Sequence, residues 1–548
     1  MDRRTTIAVL LMLGIWWSWV SGQQARVEAD AAASVAETVA AAAPPAPPAP
    51  PVVLAGPLAA SKDLEGCGIA AQWSPVGPRL SSAELERWKS PFVQVPWWSY
   101  AWGRLTGSLS GPWQPYGPPP GRMMVLGPKA EALGLSLGGL ALANATEHEG
   151  GWRATTPDGL VVDMALTPKG TGHACRLAWH VEIANPSGRP YTGPVEISLH
   201  DVVPVAGGGL LSGYVPTMVP VASVDGGVER ADAAAIVDEP WSPEGTVAWF
   251  GLADTYFSAL VLPRGDTLPG AVTFDGKAID DTHTWAGVRW KADLALAAGA
   301  SRALDFDVFV GPLDPDVLVE VDKDLTELID FGWFAVFAWP LAFGLRQLHG
   351  LTGDWGLAII ALTFVLKIIF YWPTRSAFLA GQAMQAVQPE MKALQEQYKD
   401  QPEELNRRIM ELFRDRKVNP LGGCLPMFIQ MPVWIALYNV LRSVVDLYHT
   451  PFLYLQDLSV ADPYGALPIL VIIAMVIQQR SIPLGNMDPA QQQVLRWMPV
   501  IFGVFFFGLP SGLMVYMFVN TTLSMAQQWY MKRGTPALGP QTATGSVG

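Results

Sequence analysis

The stretch from Trp497 to Met531 reads WMPVIFGVFFFGLPSGLMVYMFVNTTLSMAQQWYM. Its 35 positions carry no charged side chain, and Leu509-Pro510-Ser511-Gly512 interrupts them near the middle. A straight helix of that length would rise roughly 50 Å at about 1.5 Å per residue. A bilayer core is only about 30 Å thick. The segment is therefore expected to cross a membrane, turn at Pro510-Ser511-Gly512 and cross back as two short helices.

Basic residues set the orientation of such a chain. Upstream, Asp354 to Trp372, Leu421 to Leu441 and Pro463 to Gln479 are further candidate spans. The loop from Thr374 to Pro420 holds eight Lys or Arg, whereas Ser443 to Asp462 holds none and three Asp. Arg480 and Arg496 bound the next loop, and Lys532 and Arg533 follow the last span. With Arg3 and Arg4 at the start, this alternation requires six crossings with both ends inside.

The start, Arg3-Arg4 followed by apolar Ile7 to Val20, fits a signal peptide or a short anchor. Trp16, Trp17 and Trp19 favour a retained anchor, and residues 1–22 are assigned to it. Residues 23–61 are Ala/Pro-rich and form an extended linker. Residues 62–321 show short alternating runs broken by Gly, Pro, Asn and Asp. Arg176 to Ala184, Tyr191 to Leu199 and Ala303 to Val310 read as strands, with a turn at Asn185-Pro186-Ser187-Gly188. Many such units predict a β-sandwich outside the cytoplasm. Residues 322–350, with Trp333, Phe334, Phe337 and Trp339 interrupted by Pro340, read as an interfacial amphipathic helix. Residues 351–373 form the second transmembrane helix.

Within 374–419, Met384, Val387, Met391, Leu394 and Tyr398 are spaced 3, 4, 3, 4. Leu405, Ile409 and Leu412 resume that rhythm after Asp400-Gln401-Pro402. Two helices joined by a tight turn would bury these stripes against each other. Residues 420–533 hold the remaining four spans, and 534–548 a short tail.

Half of the 548 residues are hydrophobic and 16% are charged, which suits a mixed membrane and soluble architecture. The net charge of −13 argues against nucleic-acid binding. Cys67, Cys175 and Cys424 are too few and too scattered for a disulfide framework or a zinc site. Leu64-Glu65-Gly66-Cys67 looks like a lipoprotein cleavage box but lies more than forty residues beyond the apolar run it should follow. There is no P-loop, HExxH or dinucleotide fingerprint, so no cofactor or metal is expected. His180, His200 and the Trp97, Trp98, Tyr100, Trp102 cluster raise a sugar site only weakly, against ordinary structural roles.

Lys367 is the one charge inside the span from Trp355, and a buried Lys there costs ~2.5–3.5 kcal/mol on insertion scales. Its long stem could instead snorkel to the interface. Thr363 lies one turn earlier on the same face. Gln430, Asn439, Asn520, Thr521 and Thr522 are also polar, and such groups should face protein or water.

Asn419-Pro420-Leu421-Gly422-Gly423-Cys424-Leu425-Pro426, then Gln430-Met431-Pro432, resembles the signature of the YidC/Oxa/Alb membrane-protein insertase family. Met498-Pro499-Val500-Ile501-Phe502, Pro510-Ser511-Gly512-Leu513, Gln388-Pro389 and Asp488-Pro489-Ala490-Gln491-Gln492 are similar too. The likeness covers about residues 324–533. It implies an α-helical membrane bundle, an N-terminal anchor plus five core helices, with a periplasmic β-supersandwich and a cytoplasmic helical hairpin. It implies a hydrophilic groove with one positive residue, usually Arg, which falls on Lys367. Thr363, Gln430, Asn439, Tyr516 and Asn520 would share that groove. Met431, Trp434, Phe502, Phe505 and Phe506 would meet the client's apolar helix. The implied partners are nascent membrane proteins, the Sec translocon, the ribosome and the lipid bilayer of a bacterial inner membrane. The runner-up is a transporter or channel, which would show more intramembrane charges or a repeat. A membrane-anchored carbohydrate enzyme is the third reading.

Overall fold

The computed structural model describes residues 62–534 apart from 65–68, 74–79, 90–121, 127–132, 138–139, 142–145, 149–150, 171–173, 175, 205–217, 266, 281–282, 400, 417, 419–424 and 481–488. The anchor at 1–22, the linker at 23–61, Cys67, Cys175, Cys424, the Trp97 to Trp102 cluster and nearly all of the tail lie outside the described residues.

The N-terminal half forms two sheets, each of nine described strands. At the centre of one, Tyr191–Pro204 pairs antiparallel with His283–Leu296 and with Leu133–Leu137. At the centre of the other, Arg176–Ala184 lies between Val161–Lys169 and Ser301–Pro312. Alternation decides which side chains enter the core. Leu177, Trp179, Val181 and Ile183 are buried from one sheet, and Val195, Ile197 and Leu199 from the other. Fully burying a large apolar side chain contributes about 1.5–3 kcal/mol, so this shared core holds the two sheets face to face.

The turn after Arg176–Ala184 does not make a hairpin, because the next strand joins the opposite sheet. Asn185 fastens the crossover. Its Nδ2 donates to the carbonyls of Arg189 at 2.8 Å and Ala297 at 3.2 Å, and its backbone N–H to Ala300 at 2.9 Å.

Asp314 begins the passage to the helical half. Its carboxylate caps helix α1 (Pro315–Val321) by accepting from the Asp316 N–H. The amphipathic helix expected from 322 starts later, as α2 (Ala335–Thr352). Two 3-10 segments, Lys323–Leu328 and Gly332–Phe334, precede it, and Gly332 has a φ of +65° that a continuous α-helix excludes. Gly353 ends α2 in the left-handed region, and Asp354 caps α3 (Trp355–Ile369) by accepting from the Leu357 N–H at 2.8 Å. Pro373 lacks the N–H that would continue α3, and the chain bends 60° into α4 (Tyr371–Gln397).

Helix α5 (Pro402–Asp415) returns along α4, and Arg416 pairs with Glu390 at 2.6 Å. Val387 is buried, while Met391, Leu394, Leu405, Ile409 and Leu412 are half-buried between exposed neighbours. The remaining helices are α6 (Leu425–Ser443), α7 (Ala466–Arg480), α8 (Pro489–Gly503) and α9 (Ser511–Gly534). Helix α9 packs on α3, α6 and α7; α2 packs on α3 and α6; α8 packs on α7.

Among the described residues, no single helix is long and apolar enough to cross a membrane, but the bent pair α3 and α4 passes jointly on length and composition. Helix α6 is 19 residues long, and Pro426, Gln430, Pro432, Asn439 and Arg442 dilute its hydropathy.

Candidate functional site

Lys367 lies in the last turn of α3, and its stem reaches across to α9. Its Nζ donates to Ser524 Oγ at 2.7 Å. Ser524 Oγ in turn donates to the Asn520 carbonyl at 2.7 Å. Among the described residues, no carboxylate lies within 4 Å of the ammonium. Lys367 is therefore a half-buried cation solvated by one neutral hydroxyl and lacking a counter-charge.

Tyr516, Asn520 and Ser524 follow at intervals of four and share one face of α9. Tyr516 is fully buried, and Asn520 and Ser524 half-buried. Thr363 stands one turn before Lys367 but is fully buried, and its hydroxyl donates to the Ile359 carbonyl at 2.7 Å. Its polarity is absorbed by its own helix. Lys367 and Ser524 thus come together, with the Asn520 backbone carbonyl accepting from Ser524, and Thr363 and Tyr516 lie one and two turns away along α3 and α9.

Other candidates fall elsewhere. Asn439 is near the far end of α6, where its Nδ2 donates to the Phe331 carbonyl at 2.7 Å. That bond satisfies the irregular segment ahead of α2, so Asn439 is a structural tie rather than part of the Lys367 cluster. Gln430 lies on α6, with its side chain outside the described ones. Met431, Trp434 and Phe502 expose 50%, 39% and 49% of their surfaces, enough for each to meet an apolar partner. Phe505 is half-buried with its ring 6.2 Å from Phe502. Phe506 is buried in the helical core and so does not present itself to a client.

Two features escaped the sequence reading. Ser524 is the partner of the Lys367 ammonium, and the polar i, i+4, i+8 spacing from Tyr516 was its only signal. The second is Arg346 on α2, whose guanidinium reaches Asp314 at 3.0 Å, Asp316 at 3.1 Å and Asp446 at 2.7 Å. It ties α2 to the capping residue of α1 and to the segment after α6. Burial disfavours its charge, yet Asp446 and Asp314 outweigh that and hold it above the usual range. Burial also pushes the Asp446 carboxyl up, against the pull of Arg346.

The sheets offer less chemistry. His200 is buried, stacked on Trp285 at 3.8 Å, with Nε2 2.8 Å from Asp275, which accepts from Arg289 at 2.7 Å. His180 pairs on the surface with Asp305 at 2.6 Å. Among the described residues, no group of three or more His, Cys, Asp or Glu is placed to hold a metal ion.

Two family models match. Residues 153–343 fit the YidC periplasmic domain, and residues 347–537 fit the 60Kd inner membrane protein. The membrane protein insertase YidC of Geobacter sulfurreducens is 42% identical, over 52% of this chain and 53% of that protein. That of Geotalea daltonii is 34% identical over 70% of this chain and 71% of that one. The chain belongs to the YidC family of membrane protein insertases. A crystal structure described as an active YidC insertase with its first transmembrane domain resolved aligns over 86% of this chain and 94% of that one, at 17% identity and a TM-score of 0.37. The paired sheets thus include the residues matched to the YidC periplasmic domain, and the helical half those matched to the 60Kd inner membrane protein. Lys367 and Ser524 both lie within the second of these matches.

Proposed function

We propose that α3, α6, α7, α8 and α9 span the inner membrane around a hydrophilic groove that opens to the cytoplasm and centres on Lys367. The observation that carries this reading is the Lys367 ammonium, half-buried against α9 on one hydroxyl partner and, among the described residues, with no carboxylate within 4 Å. A cation in that position has unspent capacity to attract negative charge. At about 4 Å an opposite charge would gain about 4 kcal/mol where the effective dielectric is near 20.

An acidic, polar segment of a nascent membrane protein would enter this notch, which shortens its path through hydrocarbon. The client's apolar helix would lie along Met431, Trp434 and Phe502. Helix α8 and the 3-10 turns after it are short, so the bilayer would thin beside them. Partitioning of the client helix into lipid drives the step, and no nucleotide is needed. The basic α4–α5 hairpin and the ends of α7 and α9 would face the cytoplasm, with the β domain in the periplasm. The Sec translocon and the ribosome are the natural partners of such a device.

The test is Lys367→Ala in a bacterium depleted of its own insertase. Insertion of clients with acidic N-terminal tails should fall at least fivefold, while clients with neutral tails are little affected. Undiminished insertion of the acidic-tailed clients would reject the role of Lys367.

A further inference from the structure

A second basic site lies where α3 hands over to α4 and α9 ends. A cavity of about 510 Å³ opens between these elements, lined by Tyr371, Arg375 and Phe378 on one side and Trp529, Tyr530 and Arg533 on the other. The Arg533 guanidinium rests on an indole ring, and that of Arg375 lies within cation–π reach of another. Arg533 Cζ is 3.6 Å from the Trp529 ring centroid, and Arg375 Cζ is 6.0 Å from that of Trp372. Stacking occupies the face of a guanidinium and leaves its N–H edge free. Among the described residues, neither Arg375 nor Arg533 has a carboxylate within 4 Å. The site therefore presents two cations, that of Arg533 oriented by stacking, with no carboxylate beside either among the described residues.

We propose that this cleft binds the phosphate headgroup of an anionic phospholipid from the cytoplasmic leaflet. The inference rests on the membrane topology proposed above. Under that topology, the 60° bend after Ile369 and the last turn of α9 both mark the level where the chain leaves hydrocarbon. Trp372, Trp529 and Tyr530 are exposed there, as aromatic side chains at headgroup depth should be. Paired arginines match a phosphate's bidentate geometry, and basic pockets between helix ends on the cytoplasmic side suit anionic headgroups. Lys367 and Ser524 sit deeper along the same helices, so a lipid seated here would border the mouth of the groove without occupying it.

The test uses the purified full-length protein, with native mass spectrometry of lipid retained after adding phosphatidylglycerol or phosphatidylcholine. The wild type should retain phosphatidylglycerol at least fivefold over phosphatidylcholine. The Arg375→Gln/Arg533→Gln variant should lose at least fivefold of that retention, and Lys532→Gln less than twofold. An Arg375→Lys/Arg533→Lys variant keeps the charge and should lose two- to threefold, so the result stands even where the Gln pair does not fold. Equal retention by wild type and the Gln pair would overturn the proposal. So would binding of inorganic phosphate with no preference among lipids, or displacement by an acidic-tailed client peptide but not by phosphatidylglycerol, which would assign the cleft to the client path. Thiol labelling of Gly534→Cys from each side of the membrane tests the topology separately. Labelling from the periplasmic side would remove the leaflet assignment while leaving any Arg-dependent lipid retention intact.

Discussion

Lys367 was legible from sequence because a lone charge in an apolar run is expensive and needs a reason. Whether it snorkelled or turned inward was not legible, since both outcomes use the same stem. The bond to Ser524 shows it turning toward α9. Lys367→Arg should therefore retain insertion of acidic-tailed clients within about twofold of wild type in the depletion assay. Ser524→Ala removes one hydrogen bond to a charged group, worth about 1.5–3 kcal/mol, and should impair those clients less than Lys367→Ala does. Asp457 offers a pH test in the loop between α6 and α7. Burial pushes its carboxyl up to about 6, against hydrogen bonds donated by the N–H and hydroxyl of Ser459. The folded state then holds the proton more tightly than the unfolded chain. Stability from this group is greatest at low pH and is lost as pH rises from about 4 through about 6. Asp457→Asn should raise stability at pH 7.5 by ~3 kcal/mol at most, read as a higher thermal midpoint, and leave the midpoint nearly unchanged at pH 4. A midpoint shift of equal size at both values would refute the assignment.

The element scale shows why some helices were easy to find and their contacts were not. Pro510-Ser511-Gly512 was a clear break in the uncharged run, but its docking partner was invisible. The Ser511 N–H donates to the Val460 carbonyl at 2.7 Å and the Gly512 N–H to Leu458 at 2.8 Å. A loop fifty residues away thus satisfies the start of α9. The same loop seats α3. A Cβ on Gly356 would come within 2.1–2.5 Å of the Phe452 ring. Gly356→Val should lower stability by about 1–3 kcal/mol, as overpacking does, seen as a fall in the thermal midpoint of the detergent-solubilised protein. Phe506 and Asn439 were misplaced for a related reason. Composition marks a residue as aromatic or polar, but helix rotation and irregular neighbours decide what it faces. Arg346 was missed because its three carboxylates come from positions 314, 316 and 446. Arg346→Gln should free α2, and protease cleavage between 322 and 335 should quicken severalfold. An unchanged cleavage rate would argue against that tie.

At the scale of the molecule, the β half and the helical half share packing. Tyr448, from the loop after α6, packs tilted against Tyr256 and edge-to-face against Phe257, with ring centroids 5.2 Å apart in each pair, and the Tyr256 hydroxyl donates to the Arg442 carbonyl at 2.8 Å. Alternation announced a β-sandwich, yet strand order did not follow from it, because the Asn185 crossover looks like a hairpin turn in sequence. Deleting residues 62–310 would leave the Lys367 site intact and should preserve much of the insertion activity. Loss of all activity in a stably expressed deletion would shift function toward the sheets. The most direct measurement concerns water at the notch. In a variant with Cys67, Cys175 and Cys424 replaced by Ser, Lys367→Cys should react with a membrane-impermeant thiol reagent added from the cytoplasmic side and should be shielded when an acidic-tailed client is stalled during insertion. A thiol at 367 that stays unreactive from the cytoplasm, in protein shown to be folded, would contradict a watery, client-binding groove.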